Sequence, residues 1–232
     1  MIPLKDTEPC DCVPFVNVAI ILANVVVFIV QLSQGAGLEA FVQTYAVIPA
    51  RYFDSQWMAQ ASLGDALIPF FSSMFLHGGI VHLVGNLWVL WIFGDNIESR
   101  LGHFKYLLFY LICGLGAGVT HVVTNPNSLL PTLGASGAIA GVMGGYFLLY
   151  PRARVITLVP VFYFLYFLEI PAFLFLGFWF LLQFWAGSTT FQGGADEVGG
   201  VAWWAHVGGF LIGMLLTFLI ATNKPKRRKP QR

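Results

Sequence analysis

Apolar residues run along this chain in long blocks, and few polar residues interrupt them. Blocks long enough to cross a hydrocarbon core, about 20 residues, lie near 15–33, 74–94, 104–124, 134–150, 155–186 and 201–222. The pattern predicts an all-α polytopic membrane bundle of six transmembrane helices. The fourth block is short, which is tolerated where its start is buried among other helices. The fifth is long and contains Pro160 and Pro171. It predicts one tilted or kinked helix, or a helix plus an interfacial piece. The expected organisation is an N-terminal cytoplasmic segment at 1–14, a membrane domain at 15–222 and a basic cytoplasmic tail at 223–232.

Composition agrees with this pattern. Of 232 residues, 57% are hydrophobic and 10% are charged, where soluble domains carry about 25% charged residues. So few charges cannot cover the apolar surface of a soluble monomer of this size. Disordered, collagen-like and disulfide-scaffold classes are excluded as well. The three cysteines, Cys10, Cys12 and Cys113, are too few and too poorly placed for a disulfide framework. Residues 1–14 set Lys5 against Asp6, Glu8 and Asp11, and no small-residue cleavage site follows. The first block is therefore expected to be a retained helix and not a signal peptide.

Charge placement predicts orientation. With six spans both termini share a side. Lys224, Lys226, Arg227, Arg228, Lys229 and Arg232 of the tail fall there together with Lys5, Arg100, Lys105, Arg152 and Arg154. Eleven of the 12 Lys and Arg then lie on one side, expected to be cytoplasmic, and only Arg51 lies outside. The tail suits anionic lipid, although a plain topology anchor is the simpler reading. The lack of a targeting presequence predicts a prokaryotic plasma membrane. The outer loop at 34–73 is amphipathic and expected at the interface. The outer loop at 187–200 is Gly-rich, carries Asp196 and Glu197, and is expected to be flexible.

Polar side chains inside spans are costly and mark candidate sites. His77, His82 and Asn86 sit at the start of the second span, Ser136 at the start of the fourth, and His206 near the start of the sixth. All three of these spans run inward, so the groups share the outer part of the bilayer. His82 and Asn86, at i and i+4, share one helix face. Ser136 is at a helix N-terminus, where free N–H groups and the positive dipole end favour a developing oxyanion. Ser136, Ala140 and Gly144 recur at four-residue spacing, as do Gly137, Gly141 and Gly145, and Ala205, Gly209 and Gly213. Such ridges of small residues let the fourth and sixth helices touch closely, as a Ser–His proton exchange requires.

Other polar residues have plainer expectations. His77 is expected to make structural hydrogen bonds, His103 and His121 to be interfacial, and Glu98 to pair with Arg100. A metal site from His77, His82 and His206 is disfavoured because no acid or Cys shares their depth. Cys10 and Cys12 are expected to be reduced thiols, and Cys113 a buried small hydrophobe. Glu169, the one acid inside a span, is expected near the midplane, protonated and hydrogen-bonded. The aromatic run from Phe162 to Trp185 is expected to face lipid.

These residues resemble the rhomboid family of intramembrane serine proteases. The likeness rests on Gly134-Ala135-Ser136-Gly137, on His77, His82 and Asn86, on Ala205-His206 with Gly209 and Gly213, and on Gly94 with Glu98-Ser99-Arg100-Leu101-Gly102. It spans roughly residues 70 to 215. The resemblance implies a rhomboid-like six-helix fold and a Ser136–His206 dyad, with Ser136 as nucleophile and His206 as general base and then acid. It also implies His82 and Asn86 as oxyanion donors. Its implied partners are transmembrane protein substrates and membrane lipid, with no nucleic acid and no cofactor. Two positions depart from patterns seen in some members. Ala140 stands where an aromatic packs on the histidine, and Arg51 and Trp57 are not adjacent. An inactive rhomboid-like binding protein and a small-solute transporter are the alternative readings.

Overall fold

The computed structural model describes residues 1–10, 12–193 and 201–221. The loop acids Asp196 and Glu197, the basic tail and Asp11 lie outside these residues. Among the described residues, five helices are long and apolar enough to cross a membrane. They are α1 (Phe15–Ser33), α5 (Ile80–Leu101), α6 (His103–Thr124), α8 (Ala172–Gly193) and α9 (Trp203–Ala221). The remaining expected span, the fourth, is α7 (Ser136–Leu149), with 14 residues. At about 1.5 Å per residue it is shorter than a bilayer core. Every residue from Gly137 to Tyr146 is buried, so α7 is the central strut of the bundle and not a lipid-facing span.

Glycine sets how closely α7 and α9 approach. A Cβ on Gly209 would overlap the Gly137 carbonyl oxygen, one on Gly213 the Gly141 oxygen, and one on Gly144 the Phe210 oxygen. The small-residue ridges therefore bring backbone against backbone, as expected. Around this contact Phe93, Tyr106, Phe109, Ile139, Val142, Tyr146, Leu176 and Phe210 fill the core.

The second span begins later than expected, at Ile80, and runs on to Leu101. Residues 34–73 fold into short helices α2 (Leu38–Tyr45), α3 (Ser55–Gln60) and α4 (Leu63–Ser72). A capping box between Ser62 and Asp65 starts α4. Arg51 donates to the Gln43 carbonyl at 2.6 Å and to Gln43 Oε1 at 3.0 Å, while Trp57 packs on Tyr52.

The fifth block is not one kinked helix. Its first part is a hairpin of β2 (Arg154–Val161) and β3 (Phe164–Pro171), and α8 starts only at Ala172. The N-terminal residues add β1 (Ile2–Asp6) antiparallel to β2, giving the order β1-β2-β3. Val155, Ile156, Thr157 and Val159 favour the pleat through β-branching. Pro160 lies beyond Leu158, the last β2 residue paired to β1. Glu169 is thus an exposed strand residue opposite Ile156, with the Arg154 guanidinium 3.9 Å from its carboxylate, and not a buried midplane acid. Residues 162 to 168 are all exposed, on the hairpin and its tip.

Three further expectations change. Glu98 is fully buried and accepts from the backbone N–H groups of Val16 and Asn17, at 2.9 and 2.7 Å, and it pairs with His103 at 2.5 Å. It caps the start of α1, whose first N–H groups have no helical partner. His121 is buried instead of interfacial. His77 does make structural bonds, since Gln31 clamps its backbone through N–H and carbonyl at 3.0 and 2.7 Å. Cys113 is buried, as expected.

Candidate active site

Three helix starts converge on one pocket. Ser136 is the first residue of α7, His206 the fourth of α9, and His82 the third of α5, one turn ahead of Asn86. The loop before α7 is pinned from outside the bundle. Val47 and Thr132 exchange backbone bonds at 3.1 and 2.7 Å, and the Gly134 N–H donates to the Ser73 carbonyl at 2.8 Å. Gly134 has φ +127°, a conformation that L side chains rarely adopt. This bend delivers Ser136 to the helix N-terminus with its backbone N–H free of helical bonding.

Ser136 Oγ lies 2.8 Å from His206 Nε2. Two residues seventy apart in sequence are thus hydrogen-bonded neighbours, as the small ridges on α7 and α9 allow. His82 and Asn86 stand beside them. The three side chains and Ser136 line a cavity of about 740 Å³, with Gly78, Leu133 and Ala202 in its walls. The Gly78 N–H donates to His82 Nδ1 at 3.4 Å. That bond leaves the hydrogen on Nε2, the nitrogen that faces Gly134. Asn86 Nδ2 is buried, has no hydrogen-bond partner and points to the same place. Two side-chain donors and a helix N-terminus therefore bracket the nucleophile. His77 lies behind, edge-on to the His82 ring at 5.2 Å.

The sequence reading missed two residues. Gln183 Oε1 is 2.7 Å from His206 Nδ1, and the Trp179 ring lies 5.8 Å from the imidazole at 36°. Both come from α8, so part of the aromatic run expected to face lipid packs on the site instead. Gln183 is the first polar side chain other than an indole after residues 172–182. A polar residue inside such a run was the available signal. Among the described residues no group of three His, Cys, Asp or Glu is arranged to hold a metal ion.

Comparison with known proteins agrees with the architecture. A sequence model of the Rhomboid domain matches residues 64–223. Rhomboid protein 1, mitochondrial, of Saccharomyces cerevisiae is 24% identical over 183 residues, covering 77% of this chain and 49% of that protein. RHOMBOID-like protein 6, mitochondrial, of Arabidopsis thaliana is 40% identical over 73 residues, 32% of this chain and 23% of the relative. Rhomboid protease GluP of Bacillus subtilis is 41% identical over 69 residues, 30% of this chain and 13% of the relative. The chain therefore spans half or less of the length of these curated relatives.

Proposed function

The chain belongs to the rhomboid family of membrane proteins, and from that premise we propose that it is an intramembrane serine endopeptidase acting through a Ser136–His206 dyad. The observation that carries this reading is the 2.8 Å bond between Ser136 Oγ and His206 Nε2, set beside the His82 ring and the unpartnered Asn86 Nδ2. The protease name carried by the Bacillus subtilis relative supports the same reading.

In the proposed reaction, neutral His206 takes the Ser136 proton as Oγ attacks a peptide carbonyl. The C–O bond forms, and the carbonyl oxygen becomes an oxyanion held by His82 Nε2–H, Asn86 Nδ2–H and the Ser136 backbone N–H. The C–N bond then breaks, and the leaving amine takes the proton from His206. Water, deprotonated by His206, attacks the acyl-enzyme, frees the acid product and returns the proton to Ser136. The chain's own residues supply every proton step. The proposed substrates are single-span membrane proteins cut in or near the bilayer.

The proposed orientation places both termini in the cytoplasm and opens the pocket to the other side. It is supported by the eleven cationic side chains assigned to the terminal side and by the single Arg51 on the opposite one. The proposed membrane domain is 15–222, with 223–232 a cytoplasmic tail.

Labelling with a serine-directed fluorophosphonate tests the proposal. The wild type should label, and Ser136→Ala and His206→Ala should not. Equal labelling of all three would overturn it.

A further inference from the structure

His206 can serve Ser136 in only one of its neutral tautomers. Nε2 must offer a lone pair to the serine hydroxyl, so the ring hydrogen must sit on Nδ1. Left alone in an apolar site, an imidazole has no reason to hold that form. Here Nδ1 meets Gln183 Oε1 at 2.7 Å. An amide oxygen only accepts, so the bond keeps the hydrogen on Nδ1 and turns Nε2 toward Ser136. Gln183 is itself 7% exposed and His206 9%, so water does not readily replace this partner.

The plane of the ring is set from the same helix. Trp179 and Gln183 are i and i+4 on α8 and share a face. Trp179 packs on the imidazole at 5.8 Å and 36°, and Trp203 meets it edge-on at 6.4 Å and 89°. Ala140, one turn after Ser136, brings no ring to this contact. Among the described residues the ionisable groups that face His206 from other elements are His82 on α5 and His121 on α6, and neither is a carboxylate.

We infer that Gln183 is the positioning residue of this site: its side-chain carbonyl fixes the His206 tautomer from α8, with Trp179 fixing the ring plane, so a neutral amide takes the place of a triad acid. The inference deepens the protease reading and rests on it for its catalytic meaning. A neutral acceptor orients the ring but adds no charge to hold an imidazolium. Its removal should therefore cost about tenfold in kcat, far less than the roughly 10⁴-fold seen when a triad aspartate is neutralised. The KM should not move.

The direct test is ¹⁵N NMR of the full chain in micelles, labelled at histidine, with His206 assigned by its loss in His206→Gln. The wild type should show a protonated Nδ1 and a bare Nε2. Gln183→Leu should lose the single tautomer, and Gln183→Glu should keep it. A wild-type hydrogen on Nε2, or a Gln183→Leu spectrum identical to wild type, would overturn the inference. Kinetics on a transmembrane reporter give the second readout. Gln183→Leu should lower kcat about tenfold at constant KM. Gln183→Glu should restore kcat and move the acidic limb of its pH profile upward, because a carboxylate favours the imidazolium. An unchanged kcat in Gln183→Leu would overturn the positioning role. Absence of Ser136-dependent labelling in the wild type overturns the protease reading instead, and the tautomer spectrum decides the place of Gln183 in that case too.

Discussion

His82 lies so close over Gly134 that a Cβ there would stand 2.8 Å from the ring Cε1 and 2.9 Å from Nε2. The backbone at Gly134 is also in the left-handed region, at φ +127°. Space and conformation both demand glycine, for separate reasons. Gly134→Ala should therefore displace the His82 ring and the start of α7 together. The expected cost is about 1–3 kcal/mol of stability, with loss of fluorophosphonate labelling at Ser136. Retention of the wild-type labelling rate would show that the bend does not hold the nucleophile.

His82 and Asn86 are proposed to share one oxyanion. Each should lose about 10²–10³ in kcat on substitution by Ala, with a smaller change in KM. Because both act on the same charge, the double variant should lose less than the product of the single losses. A double-mutant cycle on a transmembrane reporter reads this coupling. Strict multiplicativity would separate the two residues into different roles.

The residues of the candidate site were legible because their constraints are local and chemical. A hydroxyl at a helix start, an imidazole at matching depth and small residues every fourth position can all be read along the chain. The hairpin at 154–171 was not legible, because a continuous apolar run has no periodicity that separates strand from helix. Its β-branched residues and Pro160 were the signals, and hydropathy outweighed them. Glu98 differs from its expected pairing for another reason. Sequence places Arg100 beside it, but the chain starts of α1 and α6 deliver two backbone N–H groups and His103, and these tertiary partners claim the carboxylate. Gln183 was passed over because its role exists only where α8 meets α9.

The contact of α7 with α9 predicts a sharp contrast between glycines. Gly209→Ala puts a methyl group into the Gly137 carbonyl, where backbone cannot yield. The helices must separate, and the Ser136–His206 bond with them. Loss of labelling and a stability loss of about 1–3 kcal/mol are expected, the usual range for overpacking. Gly85 on α5 has nothing within 4 Å of an added Cβ. Gly85→Ala should leave labelling unchanged and gain a few tenths of a kcal/mol or more from helix propensity. Equal effects of the two substitutions would remove the argument from close packing.

The N-terminal strand predicts a pH dependence of stability. Asp6 accepts from the Tyr146 hydroxyl and, at 2.8 Å, from Asn96 Nδ2. Burial pushes its carboxyl up from 3.8 to about 6, against the lowering pull of the Tyr146 bond, and the nearby Asp95 and Glu8 push it further. Between these two values the folded chain holds a proton that the unfolded chain has released. Stability from this group is therefore full below the unfolded value, and it falls as pH rises through the window to about 6. Asp6→Asn keeps an oxygen for both donors and removes the titration. Chemical unfolding in mild detergent, followed across this window, should show a shallower fall for the variant than for the wild type. Parallel curves for the two proteins would place the proton elsewhere.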